Sequence, residues 1–257
     1  MYSPEEIAEI TVATSEKKLQ KSLLERLILG FIGGAMVSLG YLAYVRVTAG
    51  MAPEVGGLAT FLGASVFPIG LIVILLAGGE LITGNMMVVS FGFLAKKASL
   101  GDLLKNWLVI TLANLVGALF VAYFFGHVVG LTGSGIYLEQ TVNVAQGKIA
   151  ASAGQAFISG MGCNWFVGLA LWLTYGAKEA AGKFLGAWFP IMAFVAIGFQ
   201  HSVANMFIIP AAIFEGQVTW LEFLQNVIPV YLGNIVGACV FISLFYYLAY
   251  YRKNTNK

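Results

Sequence analysis

The chain has 257 residues, of which 59% are apolar and 10% are charged, and its formal net charge is +2. Because soluble domains carry about 25% charged residues, this composition excludes an ordinary cytosolic enzyme and a disordered regulator. The small net charge excludes a nucleic-acid binder, and the mean hydropathy of +0.85 favours a protein of the lipid bilayer.

The N-terminal segment, residues 1–26, carries charges and predicts an interfacial helix at the membrane surface. Residues 3–6 combine a capping Ser, Pro at the first helical position and Glu at the third. An apolar stripe begins at Ile7, and Lys18 and Lys21 suit anionic lipid headgroups. A solvated charged helix explains the same residues equally well.

Six long stretches lack Asp, Glu, Lys and Arg, and each is long enough to cross the hydrocarbon core, which needs about 20 residues. They predict an all-α membrane protein with six transmembrane helices. The six stretches are 27–45, 55–79, 106–138, 149–177, 184–214 and 223–251.

The distribution of Lys and Arg predicts the orientation of these spans. An even number of spans places both termini on one side, and 12 of the 14 basic residues fall there, including those of the tail 252–257. Because cytoplasmic loops carry the excess of Lys and Arg, both termini are predicted to be cytoplasmic and the protein to be integral to the plasma membrane. Arg46 and Lys148 are the two exceptions.

The two halves of the chain form an internal repeat. Asn106 and the segment 114–118 recur 120 residues later, at Asn226 and 234–238. Spans 1 and 4 match only weakly, Phe31-Ile32 against Phe157-Ile158. Three spans in each half invert the second half relative to the first, as in many channels and transporters. The predicted segments are a first repeat over 27–130, an extracellular connector over 131–148 and a second repeat over 149–251.

Spans 2 and 5 are predicted to be broken helices. Span 2 contains Gly78, Gly79 and Glu80, and span 5 contains Gly198 followed by a polar tract at 200–202. Unwound backbone at this depth is tolerated only where it is buried in protein or lines a cavity. It exposes amide groups and half-helix N-termini, which attract anions.

The broken segments hold the side chains with the most chemistry. His201 is the one ionisable group in its span, and buried ionisable groups are functional candidates. It either attracts an anion when protonated, passes it a proton, or holds the break as a neutral side chain. Thr83 is predicted to offer its hydroxyl to a passing anion. Leu81, which aligns with His201, is predicted to block the path.

Five further polar residues are candidate site residues, and three of them have two interpretations each. Glu80 carries protons or caps exposed amides, and the capping role is preferred. Asn85 and Asn205 are expected to tie down the breaks, and Asn164 lines a pore or packs. Lys148 recruits anions from outside or anchors an interfacial helix.

Three motifs resemble signatures of the formate/nitrite transporter family, and the chain is most similar to its hydrosulfide-conducting branch. Two positions depart from the family pattern: Gly168 stands where Cys is usual, and Gln200 stands where Glu often precedes the His. The motifs are AGGELITG at 77–84, GMGCNWFVGLA at 160–170 and GFQHSVANM at 198–206.

The resemblance implies an aquaporin-like protomer with one pore, assembled as a homopentamer without a metal or organic cofactor. It implies that Phe67 and Phe194 narrow the outer side of the pore, and that Leu71, Leu81 and Val167 narrow the inner side. Lys148 and Asn164 correspond to a Lys and an Asn that the family conserves.

These observations favour a passive or proton-coupled pathway for small monovalent anions, with hydrosulfide first and formate, nitrite or chloride as further substrates. A formate or nitrite transporter proper is one alternative. A neutral-solute channel like an aquaporin is another, because both breaks contain Asn. A membrane enzyme is disfavoured, because the sequence offers no nucleophile–base pair, ligand cluster or phosphate loop.

Overall fold

The computed structural model describes residues 1–252, with the side chain of Pro53 left out. Lys253 and Lys257, which contribute to the predicted charge asymmetry, lie outside the described residues. Apart from one 3-10 turn and three π-helical segments, the described elements are α-helices. They are α1 (Pro4–Gln20), α2 (Leu23–Thr48), α3 (Gly56–Val66), α4 (Ile69–Leu76), α5 (Ile82–Leu94), α6 (Leu100–Phe120), α7 (Gly135–Ile149), α8 (Ala153–Gly176), α9 (Ala180–Ile197), α10 (Ser202–Phe214) and α11 (Trp220–Ala238).

Six helical stretches are long and apolar enough to cross a bilayer, as the sequence predicts. The third and the sixth extend α6 and α11 through π-helical segments, and the second joins α3 to α4. The helices α5 and α10 are too short to cross. The six are Leu23–Thr48, Gly56–Leu76, Leu100–Val128, Ala153–Gly176, Ala180–Ile197 and Trp220–Tyr251.

The apolar stripe of α1 packs on the protein rather than on lipid. Its buried residues include Ile7, Val12 and Ser15, and the helix lies against α5 and α8. Lys18 and Lys21, assigned from sequence to headgroups, both bind the carboxylate of Glu80. The apolar stripe that the prediction of an interfacial helix assigns to the membrane surface is therefore covered by the chain itself.

Helix starts repeat between the two halves of the chain. The N-caps of α6 and α11 are Ser99 and Thr219, each in a capping box, and they keep the 120-residue offset. The N-caps of α2 and α8 are Ser22 and Ser152, also in capping boxes, at an offset of 130. The internal repeat is therefore visible in the capping of the helices as well as in the sequence.

The match predicted between spans 1 and 4 is wrong by one helical turn. The side-chain amides of Asn114 and Asn234 donate to the carbonyls of Gly30 and Gly160, again an offset of 130. Phe31-Ile32 and Phe157-Ile158 have an offset of 126. A shift of four residues keeps the same helix face, so the apolar pattern does not separate the two registers.

A pseudo-two-fold axis relates the halves and brings equivalent residues into contact. The hydroxyls of Thr111 and Tyr231, which are 120 positions apart, lie 2.7 Å from each other. The half-helices α5 and α10 occupy the centre, where the ranges 82–92 and 202–212 are buried throughout. The core of the protomer is thus built around the two broken segments.

Both breaks turn at a glycine in the left-handed region. Gly78 follows α4 with φ of 108°, and Gly198 ends α9 with φ of 91°. Residues with a Cβ rarely adopt such angles. Pro68 and Pro190 act differently, because Pro68 separates α3 from α4 whereas Pro190 lies inside α9.

Candidate pore and its polar breaks

Asn114 holds the first break at its side-chain amide. Its Oδ1 accepts the N–H of Ile82 at 2.8 Å, so it caps the start of α5. Its Nδ2 donates to the carbonyl of Glu80 at 2.8 Å and to that of Gly30 at 2.6 Å. A buried helix start without such partners would cost free energy, and one fully buried side chain supplies them.

Asn234 repeats this arrangement at the second break. Its Oδ1 accepts the N–H of Ser202 at 2.9 Å, and its Nδ2 donates to the carbonyls of Gly160 at 2.8 Å and Gln200 at 3.2 Å. The sequence shows both asparagines as part of the repeat without indicating this role. Their recurrence at an offset of 120 residues is the sequence signal that could have identified them.

Asn85 and Asn205 donate to side chains instead of backbone. The Nδ2 of Asn85 donates to the carboxylate of Glu80 at 2.8 Å and to Oδ1 of Asn106 at 3.0 Å. At the equivalent position, the Nδ2 of Asn205 has two side-chain acceptors as well, Gln200 at 2.8 Å and Asn226 at 2.7 Å. Each amide group therefore has an acceptor for both of its hydrogens.

The carboxylate of Glu80 forms ion pairs and, within the described residues, accepts no backbone amide. Its oxygens lie 2.8 Å from Nζ of Lys18 and 3.0 Å from Nζ of Lys21. The preferred role as a cap for backbone N–H groups is therefore wrong, because Asn114 performs it. The side chain of Glu80 is 3% exposed, and such a buried charge requires the partners it has.

His201 joins the two breaks through a hydrogen bond to Thr83. Its Nδ1 accepts the N–H of Ala204 at 3.1 Å, so this nitrogen carries no hydrogen. Its Nε2 lies 2.9 Å from Oγ1 of Thr83, and the neutral ring therefore donates Nε2–H to the hydroxyl. His201 serves as the N-cap of α10, and protonation of Nδ1 would break that cap.

Asn164 ties α8 to the first break. Its Nδ2 donates to the carbonyl of Asn234 at 2.8 Å and to that of Thr83 at 3.2 Å, and the residue is fully buried. Among the described residues, Thr83 and Asn164 border neither of the two cavities described next. These contacts place Asn164 in packing and position it to orient the backbone beside His201.

A cavity of about 300 Å³ leads from the surface beside Lys148 to His201. We call it the outer vestibule, after the side that the distribution of Lys and Arg predicts to be extracellular. The ammonium of Lys148 lies 3.5 Å from the carbonyl of Gly198 and forms no ion pair within the described residues. Burial lowers the pKa of Lys148 below its usual value. Gln200 also lines this cavity and donates to the backbone carbonyl of Lys148 at 3.3 Å.

An apolar slit follows the outer vestibule. Its volume is about 10 Å³, which is near the lower limit for a single water molecule. His201 is the one polar side chain among its lining residues, and Phe67, Phe194 and His201 border both the slit and the vestibule. The structure brings together the five residues that the resemblance implies as constrictions: Phe67, Leu71, Leu81, Val167 and Phe194.

Aromatic rings close the boundary between the two cavities. The rings of Phe67 and Phe194 meet edge to face with centroids 6.0 Å apart. The ring of His201 stacks on Phe194 at 6.1 Å with an interplanar angle of 18°. The rings of Phe67, Phe194 and His201 therefore lie between the outer vestibule and the slit.

Comparisons with known proteins agree with this architecture. The chain is 55% identical to the uncharacterized transporter YrhG of Bacillus subtilis (strain 168), over 99% of the chain and 96% of that protein. It is 49% identical to the formate channel BtFdhC of Bacillus thuringiensis, over 99% and 98% of the two chains.

Two solved structures share the fold over most of the chain. One is described as an FNT family ion channel, with a TM-score of 0.88, 29% identity and coverage of 95% and 98%. The other is a pentameric formate channel with formate bound, with a TM-score of 0.78, 29% identity and coverage of 89% and 97%. The formate/nitrite transporter profile matches residues 5–248. The chain is therefore an aquaporin-like integral membrane protein and belongs to the formate/nitrite transporter family.

Proposed function

We propose that the protein conducts small monovalent anions, with formate as the first substrate, from the outer vestibule through the slit past His201. The observation that carries this proposal is a lysine ammonium that has no carboxylate partner within the described residues and lies in a cavity next to a narrow apolar passage. Lys148 lies at the entrance and Leu81 and Val167 lie in the slit.

The slit sets the form in which a substrate crosses. Transferring a bare anion into an apolar passage costs far more free energy than transferring its neutral acid. Desolvation also raises the pKa of an acid, so a formate ion that moves away from Lys148 toward the slit loses hydration and takes up a proton from the bulk solution through the water of the vestibule. Neutral formic acid then passes Phe67 and Phe194, and the proton is released with the anion on the other side.

In this scheme His201 positions a hydroxyl and does not change its charge. Because Nε2–H donates to Thr83, the hydrogen of the Thr83 hydroxyl is free to bond a carboxylic oxygen. Thr83 borders neither cavity, so this donor reaches the passage only when a ring at the boundary moves. This differs from the hypothesis of a protonated His201, which would require the cap on Ala204 to break.

The choice of formate rests on the relatives, since one 49% identical protein is named a formate channel and one similar structure holds formate. Hydrosulfide, predicted first from the sequence, is the second candidate, and nitrite and chloride are further arms of the same test. A neutral-solute channel is disfavoured, because the amide hydrogens of Asn85 and Asn205 already have acceptors.

We further infer a homopentamer, because a similar solved structure is a pentameric channel. The N-terminal side is cytoplasmic in this proposal. Lys96, Lys105, Lys178 and Lys183 share that side with α1, in keeping with the excess of positive charge in cytoplasmic loops.

The test is flux into vesicles that contain the purified protein and a pH-sensitive dye. Formate, hydrosulfide, nitrite and chloride gradients are compared with glycerol at two pH values. Leu81→Trp fills the slit and should abolish flux, whereas Leu108→Trp changes a residue outside the slit that is 62% exposed on the surface of the chain and should not. Glycerol flux without anion flux, or equal flux in the Leu81→Trp variant, would overturn the proposal.

A further inference from the structure

A second basic cavity lies at the opposite end of the protomer, on the side of α1. Its volume is about 370 Å³, and its lining includes Lys178, Lys183, Tyr2 and Thr174. We call it the N-terminal vestibule. Neither lysine forms an ion pair within the described residues, so the cavity holds two ammonium groups without carboxylate partners.

The N-terminal vestibule continues the line of the slit. Leu71 of α4 and Val167 of α8 line the slit, and Leu75 and Thr174 of the same two helices line the vestibule. Leu75 is one turn beyond Leu71, and Thr174 is two turns beyond Val167 on the same helix face. Both helices run away from the Lys148 side, so this vestibule is the other mouth of the same passage.

The N-terminus of the chain shapes this mouth. The backbone N–H of Tyr2 donates to the carbonyl of Gly176 at 2.8 Å, which fixes the first residues against the end of α8. The ammonium of Lys178 lies 4.6 Å from the centre of the Tyr2 ring. A cation held over an aromatic face loses part of its freedom to move, so Tyr2 positions Lys178 at the cavity wall.

We propose that Lys178 and Lys183 form an anion-binding site for small monovalent carboxylates at this second mouth, with Tyr2 as a positioning residue. The inference deepens the proposed anion pathway and rests on it. Two ammonium groups in one cavity create a local potential that concentrates anions. The phosphate of a lipid headgroup is also an anion that two lysines could bind. The lipid-free arm of the test below distinguishes binding of free formate from binding of such a lipid.

The experiment uses a thiol placed in the vestibule. Leu75→Cys is made in the full-length chain, and the purified protein in a non-ionic detergent without lipid is treated with an anionic and a cationic methanethiosulfonate reagent. The parent chain, with Cys163 and Cys239, measures the background. We expect the anionic-to-cationic rate ratio to fall at least about threefold in Lys178→Gln/Lys183→Gln, given surface potentials of several kT.

The matched control removes two exposed lysines from the same side, Lys96→Gln/Lys105→Gln, and should keep the ratio. Formate should slow the anionic reagent in the Leu75→Cys chain and not in the chain that lacks both vestibule lysines. Tyr2→Phe should keep this protection and Tyr2→Ala should weaken it.

An unchanged ratio in Lys178→Gln/Lys183→Gln would overturn the inference, and so would formate protection that survives it. In a second arm, phosphatidylglycerol is added to the detergent micelles, and protection by this lipid with none by formate in the lipid-free arm would assign the site to lipid and overturn the inference equally. Because the readout is a reaction rate without transport, a failure of anion flux in vesicles would contradict the proposed function separately.

Discussion

Glu80 and Gln200 occupy equivalent positions 120 residues apart, yet only one of them carries a charge. Both accept the side-chain amide of the asparagine five residues later, at 2.8 Å in each case. Glu80 forms ion pairs with Lys18 and Lys21, whereas Gln200 donates to the backbone carbonyl of Lys148. This difference leaves the ammonium of Lys148 without a carboxylate partner within the described residues.

Gln200→Glu should weaken anion entry from the Lys148 side. The new carboxylate would replace a donor to the Lys148 carbonyl, turn toward the ammonium and neutralise it. We expect formate uptake from that side to fall several-fold at low ionic strength and to approach the parent at high salt, because salt screens charges beyond about 10 Å at 0.1 M. Initial uptake rates over a series of salt concentrations provide the measurement, and a salt-independent loss would contradict this explanation.

The contribution of Lys148 should disappear at high pH. Burial lowers the pKa of this lysine, so its ammonium is fully present well below the lowered pKa and is lost as pH rises through it. The difference in formate uptake between the parent and Lys148→Gln should therefore shrink at a pH below the usual lysine range of about 10.4. A constant difference up to that pH would show that the ammonium keeps its proton.

His201→Ala should reduce the rate of formate flux and leave the shape of its pH profile largely unchanged. In the structure the imidazole is neutral and donates to Thr83, so its removal frees the hydroxyl to turn away. Thr83→Val should have a similar effect, and the double variant should be little worse than either single variant, since both act through one hydrogen bond. If His201→Ala abolishes the pH dependence and Thr83→Val does not, the charge of the imidazole is the active feature.

Leu81→Val should increase flux by widening the slit. Leu81 is buried beside Val167 in a cavity of about 10 Å³, so removal of one methylene group enlarges a passage that does not admit substrate. The matched control Leu112→Val lies on an exposed helix face, where the residue is 52% exposed, and should leave flux unchanged. Single-channel or vesicle flux at saturating formate gives the comparison, and equal rates for Leu81→Val and the parent would place the limiting constriction elsewhere.

Asn114→Ala should destabilise the protein. It would leave the N–H of Ile82 and two carbonyls without a side-chain partner, and an unsatisfied buried group costs about 1–3 kcal/mol. We expect a clear decrease in the melting temperature of the detergent-solubilised protein. Thr60→Ala, which removes an exposed bond to its own helix, should melt with the parent. Equal melting of Asn114→Ala and Thr60→Ala would show that water replaces the asparagine.

The sequence by itself determines the class of protein, the inverted repeat and the position of both breaks. Charge-free stretches of membrane-spanning length, and glycines that permit left-handed turns, are local properties that need no partner. The three motifs determine the family in the same way. His201 also stands out from the sequence, because a lone ionisable side chain in an apolar span is costly wherever the helix packs.

Only the tertiary structure decides which groups neutralise and cap each other. The Glu80–Lys18 ion pair joins residues 62 positions apart, and the Thr83–His201 bond joins residues 118 apart. Spacing along the chain does not predict such pairs, because they depend on how inverted helices cross. The alignment of α2 with α8 between the two repeats shows the same effect. A shift of one helical turn keeps the apolar face, so the sequence does not choose between the two alignments, and the contacts of the buried Asn114 and Asn234 do.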